Sequence, residues 1–430
     1  MVPRPRRART ACYDADIASP PETRPAPPSP MTDPANDSWT GGQYSLARAF
    51  FGLTLAAWCA WIALHAAAIA QAGADARGAV AVALAAVAAG VFLAIGALDR
   101  GAAAVLFGAG LFLGHEGLVT AGAGGLAPAG LLLIHLRQKA APYGSFAAIG
   151  RIDPGGGWRP RRGFAAAVYL VLALAQVAAA FRGPLAHGFP DTFGATLLAA
   201  WPLVAGLAAA AAAFVPPLRG AVFIALAATH LVGLLRGGGG VDAAFLIALP
   251  FAIDPGWFGG ARAAAPDRVF YDGDCGLCHR AVRFLLAEDR DGARFRFAPL
   301  AGAEAARRLG AVAARDLPDS IVLVAGEVPD RLFVRSGAVL RALDRLGGLW
   351  RVVAIAGRIV PPGVADALYD AVARVRKRLF AAPKAACPLI PPALRGRFIL
   401  EEGPVAAPTD NRPGETPSPG SPDGSPPRSQ

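Results

Sequence analysis

Charge is scarce in this chain. Only 17% of its 430 residues are Asp, Glu, Lys or Arg, against about 25% in an ordinary soluble domain. With 54% hydrophobic residues and a mean hydropathy of +0.42, this argues against a wholly soluble protein and against a disordered one. Lysine is nearly absent, while arginine, alanine, glycine and proline abound, a pattern of GC-rich coding rather than of function. The net charge of +11 is scattered. No long basic run or nucleic-acid motif accompanies it, so nucleic acid is not an expected partner. Loops facing the cytoplasm account for such arginines in a membrane protein. Cysteine is sparse too: Cys12, Cys59, Cys275, Cys278 and Cys387. An odd number in a large chain fits a secreted disulfide framework poorly. No apolar segment follows the first arginines, so residues 1–40 do not read as a secretory signal.

What is present is unevenly spread. Residues 1–44 are expected to be a disordered tail, with Met31 as an alternative translation start. Residues 45–258 carry long Ala/Leu/Val/Gly runs. A linker over 259–267 leads to a domain of ordinary composition over 268–400, and 401–430 reads as a second disordered tail. A bilayer crossing needs about 20 apolar residues. Eight stretches are candidates: 47–71, 78–98, 101–118, 119–136, 163–182, 193–215, 219–236 and 241–258. Glycines at 121–125 and Pro128 make the 101–136 region the least regular, a hairpin or one crossing with a re-entrant piece. The polar loop 137–162 holds Arg137, Lys139, Arg151, Arg159, Arg161 and Arg162 and is expected in the cytoplasm. Counting outward, both termini and the C-terminal domain fall inside. The expectation is a multi-pass protein of the inner (cytoplasmic) membrane, in contact with lipid.

Ionisable residues inside spans are costly and often functional. His65, His115, Glu116 and His230 are placed at similar depth by this topology. They could converge on a haem, a quinone or a proton path, or act singly as polar bonds between helices. His135, beside Arg137, is expected at the interface.

The densest chemistry lies in Cys275-Gly276-Leu277-Cys278. A short β-run, Arg268–Tyr271, precedes it. After it, Val282, Leu285 and Leu286 recur at helical spacing, so the motif opens a helix just after a strand. Phe295–Leu300 alternates as a strand and 302–310 reads as helix. The runs 321–324 and 331–334 pair as a hairpin across Gly326, and 336–346 is helical. This β-α-β-α-β-β-α order is that of an α/β thioredoxin-like domain. A thiolate is the nucleophile in disulfide exchange, and a helix N-terminus favours negative charge. Cys275 is therefore the expected attacking thiol and Cys278, one turn on, the resolving one. Asp272 and Asp274 flank the motif as candidate proton carriers, and His279 and Arg280 add positive character. Pro318 lies near the strand facing the motif, and Cys387 is a candidate third thiol. A zinc site and a pair of inert core cysteines are the competing readings. The helix over 364–380 is amphipathic, with Val364, Leu368, Val372, Val375 and Leu379 on one face. It reads as a packed surface helix or as one docking on an anionic leaflet.

The run Tyr271-Asp272-Gly273-Asp274-Cys275-Gly276-Leu277-Cys278 resembles the signature of the DCC family of thiol-disulfide oxidoreductases, whose Asp-x-x-Cys-x-x-Cys pattern Asp272, Cys275 and Cys278 satisfy. The likeness extends through 295–300, 320–324, 336–340, Tyr369, Arg374, Arg376, Phe380 and Cys387. The membrane half is similar to a region fused to this domain in some bacterial members. The resemblance implies a thioredoxin-like fold and dithiol redox work without an added cofactor. The expected partners are a protein or small-molecule disulfide and a cellular thiol reductant. The alternative is a membrane transporter or scaffold whose CxxC senses redox state.

Overall fold

The computed structural model describes residues 38–69, 76–118, 123–139, 144–146, 157–182, 192–237, 239–273, 275–315, 321–326, 331–379 and 392–399. Helices occupy all eight apolar stretches: α1 (Gly41–Ile69), α2 (Ala76–Ile95), α3 (Asp99–His115), α4 (Ala123–Leu136), α5 (Phe164–Arg182), α6 (Phe193–Phe214), α7 (Arg219–Leu235) and α8 (Gly240–Ala248). Among the described residues, four segments are long and apolar enough to cross a membrane: Gly41–His65, Arg77–Ile95, Phe164–Phe181 and Pro216–Leu235. α6 is also apolar and has 22 residues. α4 is shorter, with 14 residues, and α8 passes into a 3₁₀ turn (Leu249–Ala252) at Pro250. Length thus favours a crossing for α1, α2, α5, α6 and α7 over the shorter helices.

Alanine and leucine make these segments helical, and small residues let them pack closely. At the α1–α2 crossing, a Cβ on Gly52 would lie 2.6 Å from the Gly90 carbonyl oxygen. Ala79, Ala83 and Ala86 of α2 are wholly buried, while Leu53, Leu64, Leu84, Phe92 and Leu174 point outward. That is the distribution of an alanine-cored bundle with an apolar outer surface, compatible with a membrane protein.

α1 begins at Gly41, ahead of the sequence boundary at 44, and the residues just before it are core. Trp39 is 1% exposed. It packs edge-on against Tyr44 and Phe164, with ring centroids 6.3 and 5.8 Å apart. Two aromatics in a polar segment closing the end of the bundle are the physical reason for the shift.

The C-terminal half is a mixed four-stranded sheet with helices on both faces. It contains β1 (Asp267–Tyr271), α9 (Gly276–Glu288), β2 (Phe295–Pro299), α10 (Ala303–Arg315), β3 (Val322–Val324), β4 (Leu332–Val334), α11 (Arg335–Leu346), α12 (Gly348–Gly357) and α13 (Pro362–Leu379). The strand order is β2-β1-β3-β4, with β1 parallel to β2 and antiparallel to β3. β3 and β4 form the expected hairpin, with Leu323 opposite Phe333. This βαβ unit followed by a β-hairpin is the thioredoxin-like arrangement. Alternation along β1 sends Val269 to one core with Leu285 and Phe297, and Phe270 to the other with Ala305 and Val322. Asp267, wholly buried at the start of the inner strand β1, ties it to the end of β3 and to α11: it accepts from the Gly326 amide at 2.9 Å and pairs with Arg341 at 3.0 Å and Arg345 at 3.4 Å.

The two halves are joined by a polar junction. The Glu288 carboxylate, at the end of α9, accepts from the Gly42 amide at 2.8 Å in the first turn of α1. It also accepts from the Thr40 hydroxyl, and from the Trp350 indole at 2.6 Å. Gln43 accepts from the Leu349 amide at 2.9 Å. Arg290 donates to the carbonyls of Trp39 and Trp158. Burial pushes the Glu288 carboxyl above the usual carboxylate range, against the pull of the hydrogen bonds from Thr40, Trp350 and Gly42.

Candidate active site

The sequence from strand to helix fixes where the two thiols lie. β1 ends at Tyr271, and the Cys275 amide donates to the Asp272 carbonyl at 3.3 Å, closing a turn. Cys275 then takes an extended backbone (φ −99°, ψ 112°) and stands as the N-cap of α9. Its sulfur accepts from the Cys278 amide at 3.4 Å. A thiol here plays the part that serine or aspartate plays in ordinary caps. The sulfur stands at the positive end of the α9 helix dipole.

Both cysteines carry free thiols, 3% and 2% exposed. The way in is therefore not the open solvent expected of an attacking thiol. An apolar cavity of about 500 Å³ lies between α9, α11 and α13, with Leu277, Cys278, Ile321, Leu340, Leu368 and Tyr369 in its wall. Cys278, not Cys275, lines it. Its two hydroxyls are already engaged: Ser336 donates to Asp366 at 2.5 Å, and Tyr369 accepts from the Ile321 amide at 3.2 Å. The cavity thus offers a partner apolar surface and a thiol.

Of the other residues singled out by sequence, Asp272 contributes the turn carbonyl. His279 sits across Tyr271 edge-on at 5.8 Å, and its Nε2 donates to the Gly273 carbonyl at 2.6 Å, bracing the turn before Cys275. Arg280 points outward. Asp274, Pro318 and Cys387 lie outside the described residues. Among the described residues, no three His, Cys, Asp or Glu side chains are grouped to hold a metal ion.

The intramembrane residues go to different places. His65 is exposed, stacked on Trp61 and bonded to that residue's own carbonyl at 2.8 Å. His115 borders a second apolar cavity of about 480 Å³, with Cys59, between α1, α3 and α4. Glu116 follows the end of α3. His230 is buried in a chain of its own: the Gln176 amide donates to its Nε2 at 2.7 Å, and its Nδ1 pairs with Asp242 at 2.8 Å. Asp242, which sequence reasoning passed over, fills His230's other side. His135, expected at the interface, is buried, bonded to the Tyr44 hydroxyl at 2.8 Å and 3.6 Å from Asp99.

A family model for DCC1-like thiol-disulfide oxidoreductases matches residues 269–382. An uncharacterized protein of Bacillus subtilis (strain 168), YuxK, is 30% identical over 138 residues, which cover 31% of this chain and 95% of that relative. The chain belongs to the DCC1-like thiol-disulfide oxidoreductase family. No solved structure matches it. The matched DCC1-like region contains β1 from Val269 onward, the CxxC helix and the whole α12–α13 wall of the cavity. The helical bundle lies outside it.

Sequence reasoning missed α12, the helix that leads from α11 into α13. The signal was Gly347-Gly348, both in the left-handed region (φ 74° and 59°), which end α11 and restart the chain as α12. A Cβ on Gly348 would lie 2.2 Å from the Gln43 side-chain oxygen, so glycine also permits the close approach to α1.

Proposed function

We propose that this protein is a membrane-anchored thiol-disulfide oxidoreductase whose working pair is Cys275 and Cys278. The observation that carries the reading is Cys275 at the N-cap of α9, its sulfur facing the Cys278 amide. In the reducing direction the Cys275 thiolate attacks a substrate disulfide. One substrate sulfur leaves as a thiol, and a mixed disulfide forms. The Cys278 thiolate then displaces the second substrate thiol, leaving a Cys275–Cys278 disulfide. Two electrons pass to the substrate, and a cellular thiol reductant returns them. Asp272, Asp274, His279 and Arg280 are the nearby polar residues for proton handling. The apolar helices hold the domain at the inner membrane, on its cytoplasmic side, without an added cofactor in the redox pair.

The test is insulin-disulfide reduction by the full chain with a dithiol reductant. Cys275→Ser should abolish turnover, and Cys278→Ser should accumulate a mixed disulfide. Undiminished turnover in the Cys275→Ser variant sinks the proposal. A second reading, a redox sensor acting on the membrane half, draws support from Glu288, which ends the CxxC helix on the first turn of α1. A sensor oxidises once per chain, whereas an enzyme turns over repeatedly.

A further inference from the structure

The α12–α13 hairpin carries an apolar face that its own domain leaves uncovered. Ile355, Val364, Leu368, Val372 and Val375 are all exposed, and Ile359, at the bend, is 82% exposed. A soluble domain seldom leaves so much contiguous apolar surface to water. The two helices together have the apolar composition of a span but are bent by 112°, a shape suited to lying in an interface rather than crossing it.

Three observations say what covers this face. The hairpin starts at the membrane bundle: Leu349 belongs to the bundle core with Trp39 and Phe251, and its amide is held by Gln43. α12 is ten residues, about 15 Å, so Ile359 stays close to that end of the bundle. The charge is also one-sided. Residues 348–379 hold six basic side chains, Arg351, Arg358, Arg374, Arg376, Lys377 and Arg378, against Asp366 and Asp370. The two acids are turned to the domain, Asp366 accepting from Ser336 and Asp370 pairing with Arg335 at 3.4 Å. Arg351 and Arg358 share Asp344, which leaves the cluster at 374–378 with no acid in α13 beyond those two.

We propose that this hairpin is seated on the anionic lipid surface around the bundle. The apolar stripe enters the boundary between headgroups and acyl chains, and the basic excess of the 348–379 sequence favours an anionic surface. Leu368 and Val372 belong both to the stripe and to the wall of the cavity beside Cys278, so the cavity mouth rests on lipid. The seating holds whether or not the dithiol turns over.

The test places a benzophenone amino acid at Ile359 of the full chain. A control carries it at Leu332, exposed on β4 and outside the apolar stripe. Both proteins are irradiated in nanodiscs of phosphatidylcholine with or without phosphatidylglycerol, and adducts are read by mass. Lipid adducts at 359 about tenfold above those at 332, and more abundant with phosphatidylglycerol, are the expected result. Equal lipid labelling at the two positions, or capture of a second copy of the chain at 359 in place of lipid, overturns the proposal. The adduct is read equally well in a Cys275→Ser background, so its failure is distinct from failure of the redox reading.

Discussion

Replacing Glu288 by alanine takes the acceptor from three donors at once: the Thr40 hydroxyl, the Gly42 amide and the Trp350 indole. A buried donor left unpaired costs about 1–3 kcal/mol. Part of that is offset because a wholly buried carboxyl no longer has to be desolvated. The net loss should be about 2–4 kcal/mol, concentrated where α9 meets α1. Glu288→Gln keeps one carbonyl acceptor and should cost about 1 kcal/mol. Amide hydrogen exchange reads the effect locally, since opening free energies differ from segment to segment. In nanodiscs, exchange of the peptide around Gly42 should rise about 30- to 700-fold in Glu288→Ala at tenfold per 1.4 kcal/mol. Peptides from the middle of α5 should not change. Exchange at Gly42 within a factor of three of the parent, or equal damage from Gln and Ala, would refute the assignment of Glu288 as the shared acceptor.

The same carboxyl gives a pH dependence. Burial raises its proton affinity in the folded chain, so its contribution to stability is complete below the ordinary carboxyl value of 4.5 and is lost as pH climbs through the raised one. Thermal stability should fall with rising pH above about 4.5 more steeply in the parent than in Glu288→Gln; parallel profiles would count against the buried proton. Gly90→Leu would press a side chain onto the Gly52 carbonyl, 2.7 Å from the Cβ, and onto Ala56. It should cost about 1–3 kcal/mol in detergent unfolding, whereas Gly101→Ala in α3, with nothing within 4 Å of the Cβ, should not destabilise. Asp267→Ala strands Arg341 and Arg345 at the start of β1. It should cost about 3–5 kcal/mol, seen as protease sensitivity of β1 and α11.

The sequence reading reached the local chemistry and stopped at its surroundings. The CxxC, the strand before it and the helix after it were legible because periodicity and motif are short-range signals. The hairpin of β3 and β4 was legible for the same reason. The cavity was not, because its wall comes from α9, α11 and α13, which the fold alone brings together. Periodicity found the apolar stripe of α13, but its exposure depends on which neighbours fold against it. The histidines show the same limit from the other side. His230 looked like a member of a set with His65 and His115 until Asp242, on the next helix, took its ring nitrogen. Trp39 and Tyr44 were hidden by their neighbours: a polar, proline-rich context set them with the tail, although two aromatics five residues apart were a signal of core.

The junction at Glu288 also bears on how this protein can be handled. A relative such as YuxK matches only 138 residues of this chain, and the matched family region begins at Val269, which invites cutting the present chain after residue 259 to obtain a soluble enzyme. Such a cut would strip Thr40, Gly42 and Gln43 from their partners. It would bare Leu349 and Trp350 and leave the Glu288 carboxyl without two of its three donors. The fragment would self-associate or bind detergent, and its redox behaviour would report on that state. Measurements of substrate choice belong to the intact polypeptide.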